Sequence, residues 1–455
     1  MPIIDPLWVA PREGQDWICQ DTLRAVQWLK AFVPEAAMNR RLEQCREQYL
    51  SVRESWENGE PVSLYDQKDS AAWFVFQAQT YAEGRTYWAP NEAASIVPYL
   101  SRIGQQLNLL TMIKGAEERA ARMMLAEKAQ PESAIFELLV GAAYKRHGWD
   151  HVEFVPEDRG GVRTPDLHVW AKGARWAVEC KRLRPSSYAL AENQQGKLLA
   201  KSIHQLSEKL GRSFVVEVRY QEELKDFHKD YLVDRVTEML SRTGVVETSD
   251  GRADIRLRPV DWSLTRAVMN RDFVYVGSTR MIELLCGHVE HSGQHSIRVR
   301  CRRAPEKPSY ADAIYHASVV SWMSHSDGAL SAKAKHFRKK LADAEGQLPQ
   351  DRPGVVHIGM ESVGHDNVDY LSHFRNFAAA RNFSNTNSRL RWVYGNYFLP
   401  EVTTRQNESC ALVESMAPYR IGSHKTREPL PGHLLVADDA DAPEGLHWDG
   451  RNREA

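Results

Sequence analysis

The chain has 455 residues, 42% of them hydrophobic and 26% charged, with a formal net charge of -1 at pH 7. That length supports two to four domains with real cores, and the near-zero charge excludes a polycation, so any nucleic-acid surface must be a local patch. No apolar run reaches membrane-spanning length, and the opening MPIIDPLWVAPREGQDW has no basic region followed by an apolar core; neither a span nor a signal peptide is expected. The six cysteines are scattered without a CxxC pair, which suits a reducing, cytoplasmic setting.

Residues 1–130 form an expected helical N-terminal domain. DTLRAVQWLKAFV and MNRRLEQCREQYLSVRESW carry helical apolar spacing and good helix formers. Six of the thirteen tryptophans lie here (Trp8, Trp17, Trp28, Trp56, Trp73 and Trp88) and are expected as core and interface anchors. Pro90 and Pro98 interrupt the pattern.

From Pro131 the pattern becomes α/β. PESAIFELLVGAAYKRHGW reads as a helix ended by Gly148, HVEFVPE as a strand and EDRGGVRTPD as a loop. DLHVWA and RWAVECKRL read as two strands joined at Lys172-Gly173, followed by a helix from about Asn193 to Leu210 and a strand in SFVVEVRY. This core is expected over 131–225. A β-rich insertion or accessory region follows over 226–330, then a helix-strand continuation of the core over 331–400, and a tail over 401–455. The tail is acidic and aperiodic from 434 and expected to be partly disordered.

The chemistry concentrates in TPDLHVWAKGARWAVECKRL. On a strand, Glu179 and Lys181 share one face while Trp176, Val178 and Cys180 take the other. A hairpin partner ending at Pro165-Asp166 brings Asp166 beside Glu179. Two adjacent carboxylates repel unless a cation lies between them, and all-oxygen ligands favour Mg²⁺ or Mn²⁺. Lys181 then points at the same spot and can hold a water. Metal, water and lysine in a cleft suit phosphodiester hydrolysis.

Pro165-Asp166 followed by Glu179-x-Lys181 resembles the signature of the PD-(D/E)XK nuclease superfamily, the restriction-endonuclease-like fold. Glu137, eleven residues before Gly148 in FELLVGAAYKRHG, resembles the helix glutamate of the Holliday-junction-resolvase and Mrr-like branches. The resemblance covers about 131–220 and implies an α/β core with a mixed sheet flanked by helices. It also implies a Mg²⁺-dependent endonuclease with Glu137, Asp166, Glu179 and Lys181 as catalytic residues, the three carboxylates holding metal. Glu132, in the first helical turn, is the rival helix acid, explained by the helix dipole alone. Restriction or phage defence follows by fold-level analogy only.

Between Arg159 and Arg184 seven basic residues (Arg159, Arg163, Lys172, Arg175, Lys181, Arg182 and Arg184) stand against Asp166 and Glu179. Arg159, Arg163, Arg182 and Arg184 are therefore candidate phosphate contacts, as are Lys197, Lys201 and Gln205 on the polar face of the following helix; a solvated face is the alternative. DNA is favoured over RNA, and a homodimer or partner subunit is compatible. A catalytically silent nuclease fold, serving as a nucleic-acid-binding or assembly subunit, is the rival reading. Cys286, His288, His291 and His295 are either a zinc site of unfamiliar spacing or histidines exposed on a Gly/Ser-rich turn. Gly160-Gly161 lacks the GK[ST] of a phosphate loop and fits a tight turn.

Overall fold

The computed structural model describes residues 19–57, 60, 62–156, 164–171, 173–242, 244–290, 293–305, 307–334, 337–362, 366–384, 389–405, 408–437 and 446–448. It is a mixed α/β structure with two sheets. The strands are β1 (His151–Phe154), β2 (Leu167–Ala171), β3 (Ala174–Leu183), β4 (Phe214–Tyr220), β5 (Val246–Ser249), β6 (Ala253–Pro259), β7 (Val274–Tyr275), β8 (Gln294–Ala304), β9 (Lys307–Ser324), β10 (Gly354–Glu361), β11 (Leu390–Val402) and β12 (Cys410–Arg420). The first sheet has the order β1-β2-β3-β10-β11-β12. Within it β1, β2 and β3 form an antiparallel meander, β3, β10 and β11 run parallel, and β12 is antiparallel to β11. The second sheet has the order β5-β6-β4-β9-β7, with β8 also paired to β9.

The N-terminal region is helical as its periodicity predicts, from Cys19–Lys30 through Ala116–Leu125. Trp73 and Trp88 are fully buried in its core; Trp8 and Trp17 lie outside the described residues. The helix Pro131–Arg146 is buried from Ala134 to Tyr144 on every side, because it is sandwiched between the N-terminal helices and the first sheet. Gly141 permits its approach to the meander: a Cβ there would stand 3.1 Å from Leu167 and 3.3 Å from Phe154. Gly173 makes the β2–β3 turn with φ +84°, a conformation that costs glycine nothing.

Three expectations are corrected. The strand SFVVEVRY, expected within the core over 131–225, is β4 of the second sheet, between β6 and β9. The parallel neighbour of β3 is β10, with Ala177 opposite Gly354 and Lys181 opposite Ile358. Burial explains the choice. A central parallel strand is covered on both faces, and β10 is buried from Gly354 to Met360. β4 alternates, and its Glu217 is paired to Arg258 at 2.6 Å on the more open side of the second sheet.

The second unit is consequently larger than 226–330. It begins with the helix Ser187–Leu210, capped by Ser186 accepting from Ala189 N–H at 3.1 Å. Leu199 and Ile203 of that helix pack with Val216, Val218 and Trp322.

Residues 438–445 of the acidic run and 449–455 lie outside the described residues, and the described part of the tail is ordered. Residues 410–420 form β12, and Leu434, Leu435 and Val436 are buried. The Glu414 carboxylate accepts from the backbone N–H groups of Leu435 (2.8 Å), Val436 (2.8 Å) and Ala437 (3.0 Å). No helix among the described residues is long and apolar enough to cross a membrane.

Candidate active site

Period-two alternation sorts β3 into two faces. Trp176, Val178 and Cys180 pack with the Pro131–Arg146 helix. Ala177 packs on the opposite face with Leu341, Ala344 and Leu348, in and after the helix Arg338–Glu345. Glu179 and Lys181 share that second face. Leu167 pairs with Val178 across the hairpin, so one step further along, Asp166 and Glu179 stand opposite each other. The Cys180 N–H donates to Asp166 Oδ2 at 2.7 Å and fixes the carboxylate at the strand end.

Glu179 is fully buried. Its Oε1 accepts from Lys181 Nζ, and Lys181 also donates to Gln347 Oε1 at 2.7 Å. Glu179 Oε2 has no hydrogen-bond partner. Burial, opposed by Lys181, moves the Glu179 carboxyl from 4.5 up to about 7. Asp166 is likewise raised, by burial first and then by the charges of Glu137 and Glu179. Burial pulls the Lys181 ammonium down, but the adjoining Glu179 and Asp166 carboxylates outweigh it and the group is raised. Lys181 is therefore a cation and a donor here.

Glu137 approaches from the helix layer on the other face. Its charge raises both Asp166 and Glu179, which places the three carboxylates in one electrostatic neighbourhood. Glu137 is nevertheless occupied. Arg119 donates from Nε to Oε2 and from Nη2 to Oε1, the latter at 2.9 Å. An acid in the middle of a buried helix thus has a structural task. Glu132 lies apart, on a small apolar-walled pocket with Tyr99, Phe136 and Arg182.

Do these residues suit a divalent cation? Among the described residues no three His, Cys, Asp or Glu side chains stand together as a ready-made metal cage. Two observations fit one: an orphaned buried oxygen on Glu179, and a facing Asp166 whose charge is disfavoured beside it. Asp166 and Glu179 are an all-oxygen pair that a hard cation would neutralise. Glu137, clasped by Arg119, fits less well as a direct ligand.

The expected phosphate contacts divide. Arg159 and Arg163, with Lys172, His291 and the Gly160-Gly161 turn, lie outside the described residues. Arg184 is exposed. Arg182 is not free: its guanidinium lies 5.2 to 5.7 Å from the rings of Tyr99, Phe136 and Phe398 and 3.6 Å from Glu361. Lys197, Lys201 and Gln205 are exposed, on the helix that packs against the second sheet. The amide that reaches Lys181 is Gln347. Neither Gln347 nor Arg119 was singled out from sequence; Gln347 follows a helix and precedes a buried strand in GQLPQDRPGVVHIGM, a position with no motif of its own.

The cysteine-histidine cluster is dispersed in its described part. Cys286 is buried at a helix end, His288 lies 3.4 Å from Glu217, and His295 bonds Ser321 Oγ at 2.8 Å and the Glu290 carbonyl at 2.9 Å.

Comparison of the chain with protein-family models, curated proteins and solved structures finds no match in any of them.

Proposed function

We propose that the chain is a metal-dependent nuclease built on a restriction-endonuclease-like core, acting on DNA in preference to RNA. The observation that carries this reading is the facing pair Asp166 and Glu179, with an unsatisfied Glu179 oxygen and the Lys181 ammonium on the same strand face. The order of the first sheet, an antiparallel meander followed by parallel β10, supports it. Free cysteines among the described residues suit a reducing cytoplasm.

Asp166 and Glu179 would hold Mg²⁺ or Mn²⁺, which supplies Lewis acidity to a phosphoryl oxygen and lowers the pKa of a bound water. Glu137 contributes its charge behind them, held in place by Arg119. Lys181, being protonated, donates: it orients the attacking water oxygen or stabilises charge on the phosphoryl group. The water oxygen would bond to phosphorus and give up a proton to solvent, the bond from phosphorus to the deoxyribose oxygen would break, and that oxygen would leave with a proton drawn from solvent.

The test is cleavage of plasmid DNA and of single-stranded oligonucleotides by the purified full chain, with Mg²⁺, Mn²⁺ or EDTA. Divalent-dependent cleavage lost by several orders of magnitude in Asp166→Ala is expected. Full activity in that variant, or cleavage undiminished in EDTA, overturns the proposal. Binding without cleavage in any metal supports the silent-subunit reading instead.

A further inference from the structure

The helix Asp366–Arg381 carries Tyr370, Phe374 and Phe377 at 49%, 61% and 51% exposure. The spacing of four and then three places them in one stripe along the helix. Its other face is buried: Val368, Asn376 and Ala380 are covered. Contiguous exposed aromatics mark a binding surface rather than ordinary scatter.

We propose that this stripe is a stacking platform for single-stranded nucleic acid, delivering a strand to the Asp166–Glu179–Lys181 site. The inference deepens the nuclease reading and rests on it for its purpose, though not for its test.

Three observations choose the occupant. The first is position. The short helix Arg338–Glu345 links the helix that carries the stripe to the site: at one end the Phe337 N–H donates at 2.9 Å to Asn376 Oδ1 on that helix's buried face, and beyond the other end Gln347 meets Lys181. Eight residues of helix span about 12 Å.

The second is charge. On these two helices Arg338, Lys339, Lys340 and Arg381 are exposed or half-exposed, against Asp343 and Asp366; Arg375 is engaged with the Ser331 and Ala334 carbonyls, and Glu345 and Asp369 are buried. An exposed aromatic stripe on a pair of helices with a surplus of exposed basic side chains matches a phosphate backbone with accessible base faces.

The third is geometry. Successive rings are about 6 Å and about 4.5 Å apart along the helix axis. That exceeds the roughly 3.4 Å per nucleotide of a stacked duplex strand, so the platform suits splayed bases. Duplex bases are closed to such stacking.

A second copy of the chain fits less well. Half of three aromatic side chains, at about 200 Å² each, offers roughly 300 Å² per copy, against the roughly 600 Å² per partner of even a small specific interface.

The experiment measures fluorescence anisotropy of labelled oligothymidylate, oligouridylate and a duplex of equal length, with the full chain in EDTA so that nothing is cut. Single strands should bind more tightly than duplex, and the thymidylate and uridylate arms show whether the platform distinguishes DNA from RNA. Phe374→Leu with Phe377→Leu keeps an apolar surface and removes the rings; it should weaken single-strand binding about tenfold or more. Equal single-strand binding by the leucine variant, or none by the parent, overturns the proposal. So does a leucine variant that falls from dimer to monomer in sedimentation while retaining single-strand affinity. Stripe-dependent binding by a chain that cleaves nothing leaves the platform standing and removes the nuclease reading; metal-dependent cleavage indifferent to the stripe does the reverse.

Discussion

Arg119 grips both carboxylate oxygens of Glu137, and each of these side chains is at least nine-tenths buried. The pair joins the helix Ala116–Leu125 to the helix Pro131–Arg146, and Arg119 also reaches Glu127 at 2.8 Å. Removing one partner strands a charge in the core. Arg119→Met should therefore destabilise the chain by about 3–5 kcal/mol, as broken buried pairs do, read from the urea midpoint. Glu137→Gln keeps one acceptor and should cost less. Its metal requirement for cleavage should change little if the carboxylate acts through charge, whereas a steep rise would make Glu137 a ligand. A loss below about 1 kcal/mol for Arg119→Met would show that the clasp is dispensable.

Lys181 has two acceptors, Glu179 and Gln347. Gln347→Ala leaves the ammonium its carboxylate but frees it to swing. Hydrogen bonds to charged groups contribute about 1.5–3 kcal/mol, so single-turnover cleavage should fall roughly tenfold to a hundredfold with an unchanged Mg²⁺ requirement. Lys181→Ala should lose far more. Parental rates in Gln347→Ala would mean that the amide does not position the lysine.

Glu179 gives the metal-free chain a pH signature. Its carboxyl is raised from 4.5 to about 7 by burial, so between those values the folded chain keeps a proton that the unfolded chain has lost. Stability in EDTA should fall as pH rises through that window and level off above about 7, since stability drops wherever the native state binds more protons. Glu179→Gln should flatten that part of the profile and be the more stable protein at pH 8. Mg²⁺ should stabilise the parent more at pH 8 than at pH 6, and the glutamine variant little at either. Thermal melts in EDTA and in Mg²⁺ check both; a parent profile that climbs from pH 5 to 7 would contradict a carboxyl raised by burial.

The hairpin and its register were legible because strand alternation has a period of two: once WAVECKRL is a strand beside DLHVWA, Asp166 must meet Glu179. SFVVEVRY is read into the core whose sheet GVVHIGM continues as expected, because both are apolar runs after helices. A discriminating signal was present. The first carries Glu217 and Arg219 in alternation, as a half-open strand does, and the second carries no charge at all. Glu137 stands out in the sequence as an acid in mid-helix, but nothing in its spacing announces Arg119 as its partner. The tail was judged by ADDADAPEG, and that acidic run hid the LLV just before it, which is buried against β12 and held by Glu414. The stripe on Asp366–Arg381 was read only as a helix, because which side of a helix stays uncovered depends on neighbours far away in the chain.

The pairing of Ala177 with Gly354 spans 177 positions of chain, 354 minus 177, and the whole second sheet lies between. During synthesis the carboxylates and lysine of β3 emerge long before β10 exists to flank them. Until then one edge of β3 is unpaired, and the segment that supplies Gln347 has not been made. Domains fold largely in order of emergence, and distant contacts must first meet the entropy of closing the intervening loop. The site is thus a late product of folding. A ribosome-bound or truncated chain ending before residue 354 carries every acid of the motif on a hairpin whose open edge lacks β10, so on the nuclease reading proposed above the site would be completed only late in synthesis.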